Sequence, residues 1–476
     1  MEYGTPLQKV PNPIIEDDLR IISLTSFMSK VTEQFVIDWL LKYIGKKIDW
    51  GQYGGTKGSS ISHYLVELVN FVLFNQDLKI PHSVLAVFID ISKAFNKINH
   101  NVIITILSEM GVPGWLLKIV AGFLTDREMI LRYKGGSSSR KPLPGGSPQG
   151  TRLGLLLFLV LINAAGYQDL VKNMGERITV NLGKRKPLQY THMKYVDDMS
   201  MMQSINLKET LIPNPVSNPP RPLAYHDRTQ HVFPAGSIAL QAEINKLEKY
   251  CQENEMSINH KKCKVMMFNP HRAYAATPRL TLSGMDDSYV EVVENFTLLG
   301  VKIRSDLKWW ENTDYICQKA YRRLWLLRRL KILGASELEL LDVYQKQVRS
   351  VLELAVPVWQ PALTVQEKYQ IERVQKCALY IILGQNYISY SHALDKIGWK
   401  KLEQRRIKLC EKFARKASKN SKYQEWFCKT KPTSVKTRNA NKKLKLQYLP
   451  VETRTERYKK SPLPYLTDIL NYDIKK

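Results

Sequence analysis

Two adjacent carboxylates, Asp197 and Asp198 in the stretch MKYVDDMS, and a third, Asp90 at the end of SVLAVFIDI, are of a type and spacing that fit a specific chemistry. Carboxylates that share a pair of divalent cations about 3.5–4 Å apart can stabilise the attacking and leaving oxygens of a phosphoryl displacement. Magnesium suits such a site because it prefers hard oxygen ligands and keeps part of its water shell. Each acid alone has a plainer role: Asp90 would cap the helix after it, and an Asp-Asp pair is a common turn. Their order, with the loop GGSPQG between them, favours the metal site.

Such acids need rigid elements to hold them. SVLAVFIDI, residues 83–91, is short, β-branched and apolar behind Pro81, and reads as a buried strand. LQYTHMKYVDDMSMM alternates as a hairpin with Asp197-Asp198 as its turn. Apolar residues at helical spacing from Ile22 to Tyr43 predict a helix, and Gly45, Gly51, Gly54, Gly55 and Gly58 then make a glycine-rich loop. A second helix follows Asp90 through Ile98, Val102, Ile103 and Ile106 and stops near Gly111 and Pro113. REMILRY and SRKPLPGG flank KGGSS as a hairpin, and an apolar helix runs from Arg152 to about Ala165.

After the acidic pair the chain changes character. Residues 206–237 are proline-dense and read as an inserted loop or linker. An amphipathic helix through Ile244, Leu247, Cys251 and Met256 comes next, then the strands KVMMF and NFTLLGVKI. Beyond Ser305, stripes such as Ile316, Ala320, Leu324 and Leu327 predict a three-helix unit reaching about Leu383. From Gly384 one more amphipathic helix leads into KTKPTSVKTRNANKKLKLQ, which reads as a flexible phosphate-binding tail.

Composition fixes the class of partner. At 476 residues and 44% hydrophobic the chain is long and apolar enough to fold. Lysine and arginine exceed aspartate and glutamate by 71 to 44, a net charge of +27, which favours nucleic acid first and an anionic membrane surface second. A basic protein with a merely solvated surface has the same charge. Six cysteines without a Cys-x-x-Cys pair point to a reducing intracellular compartment, cytoplasm or nucleus. The run Leu153–Gly166 falls short of the roughly 18 apolar residues of a membrane span, and the N-terminus has no secretory pattern.

In sequence, these motifs resemble the reverse transcriptases of non-long-terminal-repeat retrotransposons, particularly jockey-like elements, from about Asp18 to Arg405-Arg406. LRIISLTSFMSKVTEQFV and GQYGGTKGSS are similar to fingers motifs, FIDISKAFNKINH to palm motif A, GGSPQGTRLG to motif B, YVDD to motif C, MSINHKKCKVMMF to motif D and LLGVKI to motif E. The resemblance implies an α+β right-hand polymerase: partial fingers over 1–82, a palm with an antiparallel sheet over 83–205 and 238–304, a fingers hairpin at 127–145, a helical thumb over 305–383 and a basic helical C-terminal extension over 384–476. It implies Asp90, Asp197 and Asp198 as metal ligands, joined by the main-chain carbonyl of Ile91, for two Mg2+ ions, or Mn2+ in their place.

Carried over in the same way, Phe95 is the steric gate against a 2′-hydroxyl, Arg20 and Lys262 act on the triphosphate and its leaving group, Gln149 and Gly150 pack on the nucleotide, and Leu299 and Gly300 form the primer grip. Outside the resemblance, Phe95 reads as a core phenylalanine, Arg20 as a surface charge, Gln149-Gly150 as a helix-opening turn, and Leu299-Gly300 as a strand end. The chain departs from the family at Asn96, where aspartate is usual, at Gly154-Leu155 in place of Ser-Pro, and at Val196 in place of alanine. The earliest fingers strands, an endonuclease domain and a ribonuclease H are expected to be missing, as in a truncated element. The expected function is RNA-directed DNA synthesis from an RNA template, a DNA primer and dNTPs, without a membrane; the alternative is an inactive RNA-binding remnant with the same fold.

Overall fold

The computed structural model describes residues 2–8, 19–92, 99–133, 135–143, 145–163, 187–206, 235–269, 279–282, 289–429 and 448–472. Phe95 and Asn96, nearly all of the proline-rich insert, and residues 430–447 of the lysine-rich tract lie outside them.

The N-terminal part holds strands β1 (Glu2–Gln8) and β2 (Leu19–Leu24), and helices α1 (Phe27–Ile44) and α2 (Ile61–Gln76). The helix expected from Ile22 therefore begins later. Leu19–Leu24 is drawn into an antiparallel ladder with β1, and Ser26 caps α1 by accepting from Ser29 N at 3.1 Å. Strand pairing overrides the local helical spacing.

Next come β3 (His82–Ile89), β4 (Ile91–Ser92), α3 (His100–Glu109), α4 (Gly114–Leu124), β5 (Arg127–Tyr133), β6 (Gly136–Ser137), β7 (Lys141–Leu143) and the buried helix α5 (Arg152–Asn163). β5 pairs with β7 as the expected hairpin and joins β1 in parallel. Beyond it lie β8 (Tyr190–Tyr195), β9 (Asp198–Asn206), α6 (Ala235–Glu253), β10 (Ser257–Ile258), β11 (Lys264–Phe268), β12 (Glu291–Val292), β13 (Asn295–Leu298) and β14 (Val301–Arg304). NFTLLGVKI is thus two strands. Leu299 and Gly300, at φ 51° and 81°, form the two-residue turn whose twist suits a tight hairpin.

The central sheet runs β12-β11-β3-β9-β8, antiparallel except for β11 with β12. Alternate residues of one strand face opposite sides, so β3 serves two cores. Val84, Ala86 and Phe88 pack with α2 and the helices that follow β14, whereas Leu85, Val87 and Ile89 pack with α3, α4, α5 and α6. The continuous apolar run follows from helices on both faces.

After β14 the chain is helical: α7 (Trp310–Ile332), α8 (Glu337–Val343) continuing into a π-helical stretch Tyr344–Arg349, α9 (Val365–Leu383), α10 (Tyr390–Ile397), α11 (Leu402–Ala417) and α12 (Pro462–Tyr472). Ser336 with Glu339 and Thr364 with Glu367 form capping boxes that start α8 and α9. The described residues on either side of 430–447 are packed against the rest of the chain. Tyr423, Trp426, Tyr448, Tyr458 and Leu466 are buried in the core that also holds α2.

The tie is the buried carboxylate of Asp77 at the end of α2, which accepts from the backbone of Arg454 at 2.9 Å, and from the backbone and hydroxyl of Thr455 at 2.7 Å each. Removing one acceptor leaves several donors unpaired. We expect Asp77→Ala to cost about 3 kcal/mol, the range for a charged hydrogen-bond acceptor, in urea unfolding. An unchanged midpoint, with no new proteolysis between residues 448 and 472, would count against this tie.

Candidate active site

The three candidate acids meet at one end of the central sheet. β3 pairs with β9 so that Ile89 faces Met199 and Phe88 faces Ser200. Asp90 follows Ile89 and Asp198 precedes Met199, so the register sets the two across the strand ends. Tyr195 pairs with Asp198, which makes Val196 and Asp197 the turn and Asp198 the first residue of β9. The expected Asp197-Asp198 turn is displaced by one residue, because Val196 takes a left-handed φ of 62°. For a β-branched residue that conformation costs about 1–3 kcal/mol and persists only where its surroundings impose it.

Charge is crowded here. Burial first, then the charges of Asp197 and Asp90, push the Asp198 carboxyl up to about 6, with Lys262 opposing. Burial and Asp90 also raise Asp197, against a backbone hydrogen bond and the charges of Arg20 and Lys262. Lys262 Nζ lies 3.2 Å from Asp90 Oδ2. The structure therefore brings together Asp90, Asp197, Asp198, Arg20 and Lys262. Ile91 is buried beside Asp90 and pairs with Ile258, while Asn259 N donates to the Asp90 carbonyl at 2.8 Å.

The loop before α5 reaches the strand that carries Arg20. Ser23 N donates to Gln149 O at 2.7 Å, and Gly150, at φ 112°, leaves room for only a short approach to Ile22 and Ser23. Gly154 explains one departure from the family pattern: a Cβ there would lie 2.5 Å from Ser147 Oγ and 2.6 Å from Thr151 Oγ1. Glu33 of α1, almost fully buried, accepts from the backbone of Arg152 at 2.8 Å and Leu153 at 3.1 Å and so caps α5. Leu299 and Gly300 sit elsewhere: their hairpin stacks Phe296 on Phe88 at 4.8 Å and sets Gly300 against Leu354.

Sequence reading missed a buried charged cluster behind the hairpin. Asp49 lies 2.8 Å from both His192 Nε2 and Lys194 Nζ, and all three are buried. Burial works against the Asp49 carboxylate, yet Lys194 and His192 together hold it well below the usual range. Burial pushes the Lys194 ammonium down, and Asp49 opposes that. A signal did exist, since Tyr190, His192 and Lys194 share one face of β8. The missing information was that this polar face is interior.

Among the described residues, no group of three or more His, Cys, Asp and Glu side chains is gathered closely enough to hold a metal ion, and no helix is long and apolar enough to cross a membrane. The acids nonetheless fit a cation chemically, because the charge of Asp90 raises the proton affinity of both Asp197 and Asp198, and a positive charge would relieve that repulsion.

Residues 8–303 match the family described as reverse transcriptase (RNA-dependent DNA polymerase). The RNA-directed DNA polymerase from mobile element jockey of Drosophila melanogaster is 30% identical over 154 residues, 32% of this chain and 16% of that protein. The probable RNA-directed DNA polymerase from transposon BS of the same organism is 28% identical over 146 residues, 30% of this chain and 16% of that one. The matched stretch thus spans about a sixth of the length of either relative. Among solved structures, apo telomerase from Candida tropicalis is 10% identical, covering 86% of this chain and 64% of that one at a TM-score of 0.41. Telomerase from Candida albicans in complex with a fragment of telomeric RNA is 10% identical, covering 89% and 63% at 0.38.

The raised Asp198 carboxyl carries a pH signature. A proton bound more tightly in the fold than in the unfolded chain means that ionisation opposes folding, so stability is lost as pH rises from 3.8 to about 6. In buffer free of divalent cations, we expect Asp198→Asn to raise the melting temperature more at about pH 7.5 than at about pH 4.5. Equal shifts at the two pH values would contradict the crowding of the three acids.

Proposed function

Because the chain belongs to the reverse transcriptase (RNA-dependent DNA polymerase) family, whose right-hand polymerase fold it shares, we propose that it extends a DNA primer with dNTPs on an RNA template. The observation that carries this reading is the convergence of Asp90, Asp197 and Asp198 at one end of the β3–β9 pair, with Arg20 and Lys262 close enough to act on their ionisation. A site for nucleotidyl transfer needs both signs of charge: acids for cations, and cations for a triphosphate.

Asp90, Asp197 and Asp198, with the main-chain carbonyl of Ile91, would hold two Mg2+ ions; these, when bound, neutralise charge on the attacking and leaving oxygens. Arg20, on an exposed strand edge, presents a guanidinium fork suited to phosphate oxygens. In this reading Lys262, two-thirds exposed and 3.2 Å from Asp90, would give a proton to the leaving pyrophosphate. Gln149 and Gly150 supply a backbone surface on which a nucleotide packs, and Phe95 the ring that would exclude a 2′-hydroxyl. Leu299 and Gly300 form the turn that would steady the primer.

In the same assignment β3, β4 and β8 to β14 are the palm, the elements before β3 and the hairpin β5–β7 are fingers, and α7 to α9 are the thumb. The strongly basic composition fits a partner carrying many phosphates.

We expect the chain with Mg2+ to incorporate dTTP on poly(rA) primed with oligo(dT). Asp197→Asn should reduce the rate by roughly 100- to 1000-fold, the loss of several kcal/mol of charge stabilisation at the reacting phosphate. Arg20→Ala should raise KM for dTTP by about 10-fold, near the value of one charge-assisted hydrogen bond. Undiminished extension by Asp197→Asn would overturn the assignment.

A further inference from the structure

The catalytic turn is strained at Val196, and the element packed behind it is rich in glycine and so has little stiffness of its own. Gly51, Gly54 and Gly55 lie in one short loop, and a Cβ on Gly54 would come 2.5 Å from Val196 N. What holds the turn is the side chain of Gln52, which is 2% exposed. Its Oε1 accepts from Gly54 N at 3.0 Å and from Val196 N at 3.2 Å. The loop backbone is laid along β8 by Tyr53 N to Lys194 O and Lys194 N to Gly51 O, both 2.8 Å.

The loop is gripped in turn from a distant part of the sequence. Lys422, just beyond α11, donates to Gln52 O at 2.7 Å and lies 4.3 Å from the centre of the Tyr53 ring. Its neighbours hold the far end of the same loop: Asn420 Nδ2 reaches Gly58 O at 3.5 Å, the Tyr423 hydroxyl meets Ser59 Oγ, and Tyr423 stacks on His63 at 4.1 Å. A continuous set of contacts therefore runs from residues 420–423 through Gln52 to the residue that precedes Asp197.

We infer that Gln52, held by Lys422, is a positioning residue that fixes the Val196–Asp197 turn, so that the C-terminal part of the chain sets the geometry of the acids. This rests on the proposed catalytic reading of Asp197 and Asp198. Neither Gln52 nor Lys422 touches the reacting groups; they act through the turn. Misplacement of the acids lowers turnover without changing the surfaces that grip nucleic acid and nucleotide.

The test uses the full chain with Lys422→Ala, Gln52→Leu and the conservative Lys422→Arg. Both disruptive variants should lower kcat by about 10- to 100-fold, as a misplacement near 1 Å does, while KM for primer–template and dTTP stays within about twofold. Lys422→Arg, which keeps charge and reach, should recover most of the loss. In hydrogen exchange, Lys422→Ala should speed exchange of the Val196 and Gly54 amides by about 10-fold, with β3 and α5 unchanged, because local opening is released there alone. Unchanged kcat in an active wild type whose extension depends on Asp198 would overturn the inference and leave the polymerase reading standing. Should the wild type show no extension, the polymerase reading falls and exchange alone decides: no local speeding overturns the strut. A kcat loss accompanied by faster exchange throughout the molecule and a lower melting midpoint would also overturn it, since the contact would then be structural only.

Discussion

The site depends on one register, that of β3 against β9. Eight consecutive pairs, from His82 with Asn206 to Ile89 with Met199, bring the ends of these strands level. A slip of one residue would turn Asp90 to the other face of the sheet and away from Asp198. Hydrophobic alternation cannot prevent that slip here, because both faces of β3 are buried among apolar side chains. Polar contacts supply the discrimination. Tyr64 of α2 meets Ser200 Oγ and so fixes β9 against the helix that packs on this sheet, while Ser83 Oγ donates to Asn269 Oδ1 at 3.2 Å and so fixes β3 against β11. Each is satisfied in one register only, since an unpaired buried hydroxyl is costly.

The same logic explains the ionic cluster of Asp49, His192 and Lys194. Burying an ion pair gains little net stability, because desolvation offsets the attraction. Its position is what matters. Lys194 Nζ also donates to the Ile162 carbonyl at 3.2 Å, and Asn163 Nδ2 to the Lys47 carbonyl at 2.9 Å. The cluster thus joins the end of α5, the chain after α1 and strand β8, which come from three separate stretches of sequence. β8 leads directly into the turn at Val196, so a tilt of α5 against β8 would be felt at Asp197. A charged group that is satisfied in one arrangement alone resists such a tilt more than an apolar contact does.

Much of this was legible beforehand, and the reasons differ by element. The strand ending in Asp90, the hairpin bearing Asp197 and Asp198, the hairpin around KGGSS and the apolar helix from Arg152 each follow from composition and spacing that local sequence contains. The misreadings have one cause. Leu19–Leu24 becomes a strand because β1 is there to pair with it, and NFTLLGVKI breaks at Leu299 because two residues with positive φ fold it back. Both are decided by partners outside the window being read. The supporting residues were hidden in the same way. Glu33, Asp49, Gln52 and Lys422 look like surface polar residues in sequence, and only packing shows that the first three are buried. A lysine more than three hundred positions from its partner carries no local signal at all.

The charge balance of the site runs against that of the chain. With a net charge of +27, the average field favours ionised carboxylates, yet Asp198 is pushed up to about 6 and Asp197 is raised. Burial and mutual repulsion therefore outweigh the long-range field, which water screens over about 10 Å. Lys262 meets Asp90 from a two-thirds exposed position, where a pair contributes little and parts easily. In the proposed reading, the fold thus sets the three acids at one end of the sheet and holds the turn that carries two of them by contacts made from behind. That arrangement is unfavourable until a cation binds, so the binding energy of the cation, rather than packing within the site, completes it.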